Sequence, residues 1–202
     1  MPFLLRVELP DVPGSLGRVA TAIGEAGGDI EAIEIVEHRG NGTAVDDVLL
    51  ETAAGVLPDS LVSACNRLDG VKVLWISRYA AGGNIFLDLE AVEELTANPA
   101  EALNRFVDLL PITFRADWGA RVRRGADGPV IVHRTPAAPE QCQWVDLTRP
   151  KRLDGDDMYE LAGAPLGPDE VVIIGRRGGP EILDSEIARL GHMAGLAVSI
   201  AS

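Results

Sequence analysis

Hydrophobic positions along the first eighty residues change period several times. Leu4 to Leu9 reads as a strand, and Asp11-Val12-Pro13-Gly14 breaks it. From Ser15 the apolar residues Leu16, Val19, Ala20 and Ile23 follow helical spacing. Gly27-Gly28 ends that helix, since glycine accepts the left-handed backbone of a helix C-terminus. A strand over 29–38 follows. Its alternation is imperfect, with Ile30 and Ala32 of one parity and Ile33 and Ile35 of the other, which a bulge or partial burial of both faces accounts for. The Arg39-Gly40-Asn41-Gly42 turn predicts a hairpin with a strand over 43–52. Pro58 opens a second helix, with Leu61, Ala64, Cys65 and Leu68 on one face. A last strand runs over 71–79. The order βαββαβ predicts a four-stranded antiparallel sheet with both helices on one face.

Small, flexible residues at 80–84 suggest a connection, giving expected domains of 1–80 and 85–202 joined by a linker at 81–84. Beyond it, Asn98-Pro99-Ala100-Glu101 has the form of a capping box opening an amphipathic helix through Leu103, Phe106, Val107 and Leu110, with Pro111 as its stop. Residues 118–124 and 130–134 read as strands around the Gly125-Ala126-Asp127-Gly128 turn. The proline-rich and charged stretch 135–169 reads mostly as loop, with a short strand near Trp144. Val171-Val172-Ile173-Ile174 is too apolar and β-branched for an exposed strand. Asp184 is the expected cap of a final helix carrying Ile187, Leu190, Gly191 and Ala194 on one face. The fold class expected is α+β in both halves.

Composition narrows the function. The 202 residues carry a net charge of −13, which argues against a nucleic acid partner, because phosphate backbones need a basic face. No apolar run is long enough to span a membrane, and the first residues do not form a signal peptide, so the expected location is the cytoplasm. Cys65 and Cys142 stand far apart, as do His38, His133 and His192, so neither a disulfide framework nor a metal site is expected. No cofactor and no catalytic residues are expected either, and the chain reads as a non-enzyme. Cys65, Trp118 and Trp144 read as core. Arg121, Arg123, Arg134, Arg176 and Arg177 read as partners of the surplus acids on a solvated sheet face, with a basic patch for an anion or an acidic partner as the alternative.

The stretch with most chemistry is Asp11-Val12-Pro13-Gly14, followed by Asp29-Ile30. A helix that starts directly after a strand presents unpaired N–H groups and the positive end of its dipole at that loop, where a carboxylate can be held. Asp11 can take an ammonium group, and Asp29 is expected within reach. Such a site suits a zwitterion. A structural reading stays open beside it, with Asp11 as a helix cap, Gly14 for close packing and Asp29 ending a turn.

Asp11-x-Pro-Gly-x-Leu16, a helix, and then Gly27-Gly28-Asp29-Ile30 resemble the ACT domain signature over residues 3–79. The resemblance implies a ferredoxin-like sandwich that binds an amino acid, usually at an interface between two copies, with Asp11, Val12, Pro13, Gly14, Asp29 and Ile30 at the ligand. The second half, from Trp118-Gly-Ala-Arg-Val-Arg123 and Glu170 to Leu190, is similar to the two ends of a GAF domain. Its middle is shorter than usual where that family builds its pocket, which implies dimerisation as its main use. Together these imply a regulatory homodimer with an amino acid as ligand. The alternative is an interaction module with no small-molecule ligand.

Overall fold

A computed structural model describes residues 2–78, 84–156 and 158–202. The expected linker residues 81–83, and Tyr79 of the last expected strand, lie outside the described residues. The chain divides into two compact units, Met1–Gly83 and Asn84–Ser202.

The first unit runs β1 (Pro2–Pro10), α1 (Ser15–Glu25), β2 (Gly28–His38), β3 (Thr43–Thr52), α2 (Pro58–Asn66) and β4 (Lys72–Arg78). Its antiparallel sheet has the order β2-β3-β1-β4. Phe3, Leu5, Val7 and Leu9 of β1 and Val48 and Leu50 of β3 form one core with Val19 and Ile23 of α1 and Leu61 and Cys65 of α2. Burial of this apolar face is the main source of the unit's stability. The uneven alternation of β2 has the expected cause: its pairing with β3 shifts register between Ile30 and Ala32 and again between Ile35 and Glu37. Gly28 is small for a packing reason, since a Cβ there would lie 2.7 Å from Ile23 and 3.0 Å from Leu61.

The opposite sheet face buries an ion pair. Arg6 and Asp47 face each other in the β1–β3 register. Arg6 Nε donates to Asp47 Oδ1 at 2.7 Å and Nη2 donates to Oδ2 at 2.9 Å.

The second unit contains α3 (Asn84–Ala97), a single 3₁₀ turn at Pro99–Glu101, α4 (Ala102–Thr113), β5 (Trp118–Gly125), β6 (Gly128–Arg134), β7 (Lys151–Asp156), β8 (Tyr159–Gly167), β9 (Glu170–Arg177) and α5 (Asp184–Ala201). The strands form an antiparallel sheet ordered β6-β5-β9-β8-β7. The apolar run in β9 is buried on both faces. Val172 and Ile174 meet Phe106, Leu110 and Leu190 of the helices, while Val171 and Ile173 join Trp118, Ala138 and Leu147 on the other side. Trp118 lies against Gly175, its partner across β5–β9, where an added Cβ would come within 2.2 Å of the indole.

Four expectations are corrected. The stretch 135–169 holds two strands, β7 and β8, and Trp144 lies in neither. Pro111 sits inside the last turn of α4, which continues to Thr113. Asn98 makes no side-chain cap; the Glu101 carboxylate accepts from Asn104 Nδ2 at 2.9 Å. Asp184 is the first residue of α5 rather than its cap, and Glu186 Oε2 accepts from the Leu183 amide at 2.8 Å. The arginines pair as expected where their carboxylates are in reach: Arg121 and Arg123 meet Glu170, and Arg176 meets Glu186.

Candidate ligand site

The loop between β1 and α1 is held by its own backbone. The Asp11 amide donates to Gly42 O at 2.9 Å, tying the loop to the β2–β3 hairpin. The Val12 amide donates to Pro10 O and the Ser15 amide to Val12 O. Gly14 is the N-cap of α1, with φ of 88°, a left-handed conformation that glycine adopts without strain. No side chain caps this helix. The first-turn amides of Leu16 and Gly17 have no intrahelical acceptor by helix geometry, and the dipole adds partial positive charge there. Asp11, Val12, Pro13 and Gly14 are all exposed.

This geometry decides one open point. Asp11 does not cap α1; its Oδ2 instead lies 2.9 Å from His38 Nδ1. His38 is the last residue of β2 and pairs with Ala44, while Pro10 pairs with Thr43, so the hairpin brings His38 beside the loop. Sequence reasoning passed over this histidine because no motif surrounds it. The predicted hairpin carried the signal, since two antiparallel strands of known register bring their far ends together.

The register also corrects the expected reach of Asp29. Asp29 and Ile30 stand opposite Glu51 and Leu50 at the start of β2, whereas Asp11 lies by its end. Nine residue-to-residue steps along the strand separate Asp29 from His38, on the order of 30 Å at the usual rise. Within one chain, the two halves of the sequence signature occupy opposite ends of the same sheet.

A further residue at the loop end is Asp46. It faces Val7 on β1 and Ile35 on β2, on the side of the sheet that the helices cover. Burial pushes its carboxyl up from the ordinary value of 3.8; His38 opposes the shift, and Asp11 and Asp47 add to it. A carboxyl that holds its proton more tightly in the folded state is most favourable to folding when protonated, and that contribution is lost as pH rises through the raised value. The Asp46→Asn protein is therefore expected to melt above the parent at pH 7, with the gap closing toward pH 4. Thermal unfolding at both pH values checks this.

The second unit carries an open cleft of about 690 Å³ on the helix-free face of its sheet, between Trp118, Cys142, Arg152, Asp154 and Tyr159. Burial pushes the Cys142 thiol up, and Arg134 opposes that shift. Among the described residues no group of acidic, histidine or cysteine side chains is placed to hold a metal ion, and no helix is long and apolar enough to cross a membrane.

Comparison with known proteins gives the following. The chain is similar to free methionine-R-sulfoxide reductase from Neisseria meningitidis at 10% identity, with a TM-score of 0.49 over 61% of this chain and 93% of that one. It is similar to the GAF domain of an Acinetobacter phosphoenolpyruvate-protein phosphotransferase, also at 10% identity, with a TM-score of 0.45 over 60% of this chain and 94% of that one. A stretch of 39 residues is 59% identical to NAD-dependent malic enzyme 1 of Bacillus subtilis (strain 168); it spans 19% of this chain and 9% of that protein. The family model of the ACT domain matches residues 3–58, from β1 to the first residue of α2, and the first unit carries an ACT domain.

Proposed function

We propose that the protein is a non-catalytic cytoplasmic regulator that binds an amino acid, or a similar small metabolite, at its ACT domain between two copies of the chain. The observation that carries this reading is the placement of the signature. An uncapped, glycine-opened helix start with Asp11 beside it lies at one end of the sheet, and Asp29 and Ile30 lie at the other end, on edge strand β2. Antiparallel pairing of β2 with β2 of a second copy, about a twofold axis near Ile33, sets Asp29 of one copy against the His38 and Asp11 end of the other. Such pairing also satisfies the outward backbone groups of an edge strand. It covers Ile35, which is 51% exposed. The match of a 39-residue stretch to a small part of a malic enzyme supports an accessory segment serving chemistry performed elsewhere.

A thermal-shift screen of the full chain against the twenty amino acids, followed by calorimetry and sedimentation, tests the reading. A ligand present at a hundred times its Kd should stabilise by about 2.7 kcal/mol. Gly14→Val forces a β-branched residue into the left-handed region, at about 1–2 kcal/mol of strain, and places a side chain where nothing else lies within 4 Å. It is expected to abolish the ligand shift with only a modest loss of basal stability. A dimer whose melting no amino acid alters would instead favour an interaction module.

A further inference from the structure

Two buried polar atoms at the loop end take no part in the contacts described above. Ser15 is 2% exposed, and its Oγ has no hydrogen-bond partner among the described residues; the same holds for Oδ1 of Asp46, which is also 2% exposed. Protein interiors rarely leave such atoms unsatisfied, and those that persist tend to mark function.

Both atoms belong to one corner of the first unit. Ser15 is the first residue of α1, directly after the Asp11–Gly14 loop. Asp46 lies near the end of β3 where Thr43 meets Pro10, and its carboxyl is influenced by Asp11 of the loop and His38 of β2. At the same end Val12, 57% exposed, and Ile35 present apolar surface to solvent. A buried carboxylate oxygen, a buried hydroxyl, an uncapped helix start and an apolar rim are complementary to the parts of an amino acid. The amides of α1 suit its carboxylate, the two oxygens suit a cation, and the rim suits a side chain.

We infer that Asp46, together with Ser15, receives the α-ammonium group of the ligand. The inference rests on the reading that this loop binds an amino acid. It moves recognition of the ammonium from Asp11 on the loop to Asp46 on β3, and one chain then holds both charged ends of the ligand. Asp29 and Ile30 of a second copy then line the ligand's side chain. Asp11, already matched with His38, is left to shape the loop.

The test uses the full chain and the best amino acid from the twenty-member screen, with its des-amino analogue, in which hydrogen replaces the ammonium group. The parent protein is expected to bind the amino acid at least tenfold more tightly than the analogue. Asp46→Asn should weaken the amino acid at least tenfold and leave the analogue within twofold, closing the gap, while its melting temperature in the absence of ligand holds or rises. Ser15→Ala should weaken the amino acid several-fold. Equal binding of amino acid and analogue by the parent would overturn the inference without using any variant. So would an Asp46→Asn protein that binds normally when Gly14→Val does not, and in that case the loop reading would stand. An Asp46→Asn protein that melts well below the parent would assign Asp46 a structural role and overturn the inference too. A parent protein that responds to no amino acid removes the loop reading and this inference together.

Discussion

Glu186→Ala is expected to lower the stability of the second unit by about 3–5 kcal/mol, the usual consequence of removing one partner from a buried ion pair. The Arg176 guanidinium is buried beneath α5 and gathers several acceptors. Its Nη2 donates to Glu186 Oε1 at 2.7 Å and to Phe114 O at 2.9 Å, and its Nε and Nη1 reach the carbonyls of Arg115 and Pro180. Glu186 in turn accepts the Leu183 amide at the start of α5. The pair therefore ties β9, the end of α4 and the opening of α5 at a single point. Without the carboxylate, a buried cation is left with carbonyl oxygens only, and the Leu183 amide loses its acceptor. The loss is a large fraction of an ordinary domain's 5–15 kcal/mol. Denaturant unfolding followed by tryptophan emission in a Trp75→Phe background reads the second unit, where Trp118 and Trp144 lie. A shift below 1 kcal/mol would show that the carbonyls alone suffice for Arg176.

The apolar run of β9 was legible because both its faces are buried, and the glycine turn between β5 and β6 was legible from local chemistry. The strands β7 and β8 were not. Their residues are mixed, with Lys151, Arg152 and Asp154 in one and Glu160, Gly163 and Pro165 in the other, and they are strands because β9 pairs with β8 and β8 with β7. Helix α3 carried a signal that went unread: Ala91 and Leu95, four residues apart, are its buried stripe. The two capping expectations fail separately: Asp184 lies one position inside α5, where Glu186 accepts the Leu183 amide, and Asn98 makes no side-chain capping hydrogen bond at its turn.

In the first unit nearly every element was legible, since each turn carries its own glycine or proline and each helix carries one apolar stripe. The site was legible only in part. Local spacing marks the Asp11–Gly14 loop. It does not mark His38 or Asp46, which reach the loop through antiparallel register. It also does not separate Asp29 from that loop, because adjacency in a motif says nothing about which end of the sheet a residue occupies.

The Arg6–Asp47 pair is the second place where a large effect is expected. Arg6 sits in a strand whose neighbours Leu5 and Val7 point into the core, so alternation alone assigns it to solvent. Instead it is 2% exposed and forks onto Asp47 with two short hydrogen bonds. Asp47→Ala is expected to cost about 3–5 kcal/mol, since the guanidinium stays buried on β1 without its carboxylate. Arg6→Met alone should cost about as much, by leaving the carboxylate buried on β3. The double variant Arg6→Met, Asp47→Leu removes both charges and keeps an apolar pair across the same register, so most of the loss should be recovered. A coupling energy of several kcal/mol in this cycle, measured by urea unfolding, would identify the fork as a pair whose halves depend on each other. Additive losses would mean that each side chain is held by its own surroundings. In that case β1 and β3 would stay in register through backbone bonds and the Leu4–Leu49 and Leu5–Val48 contacts alone.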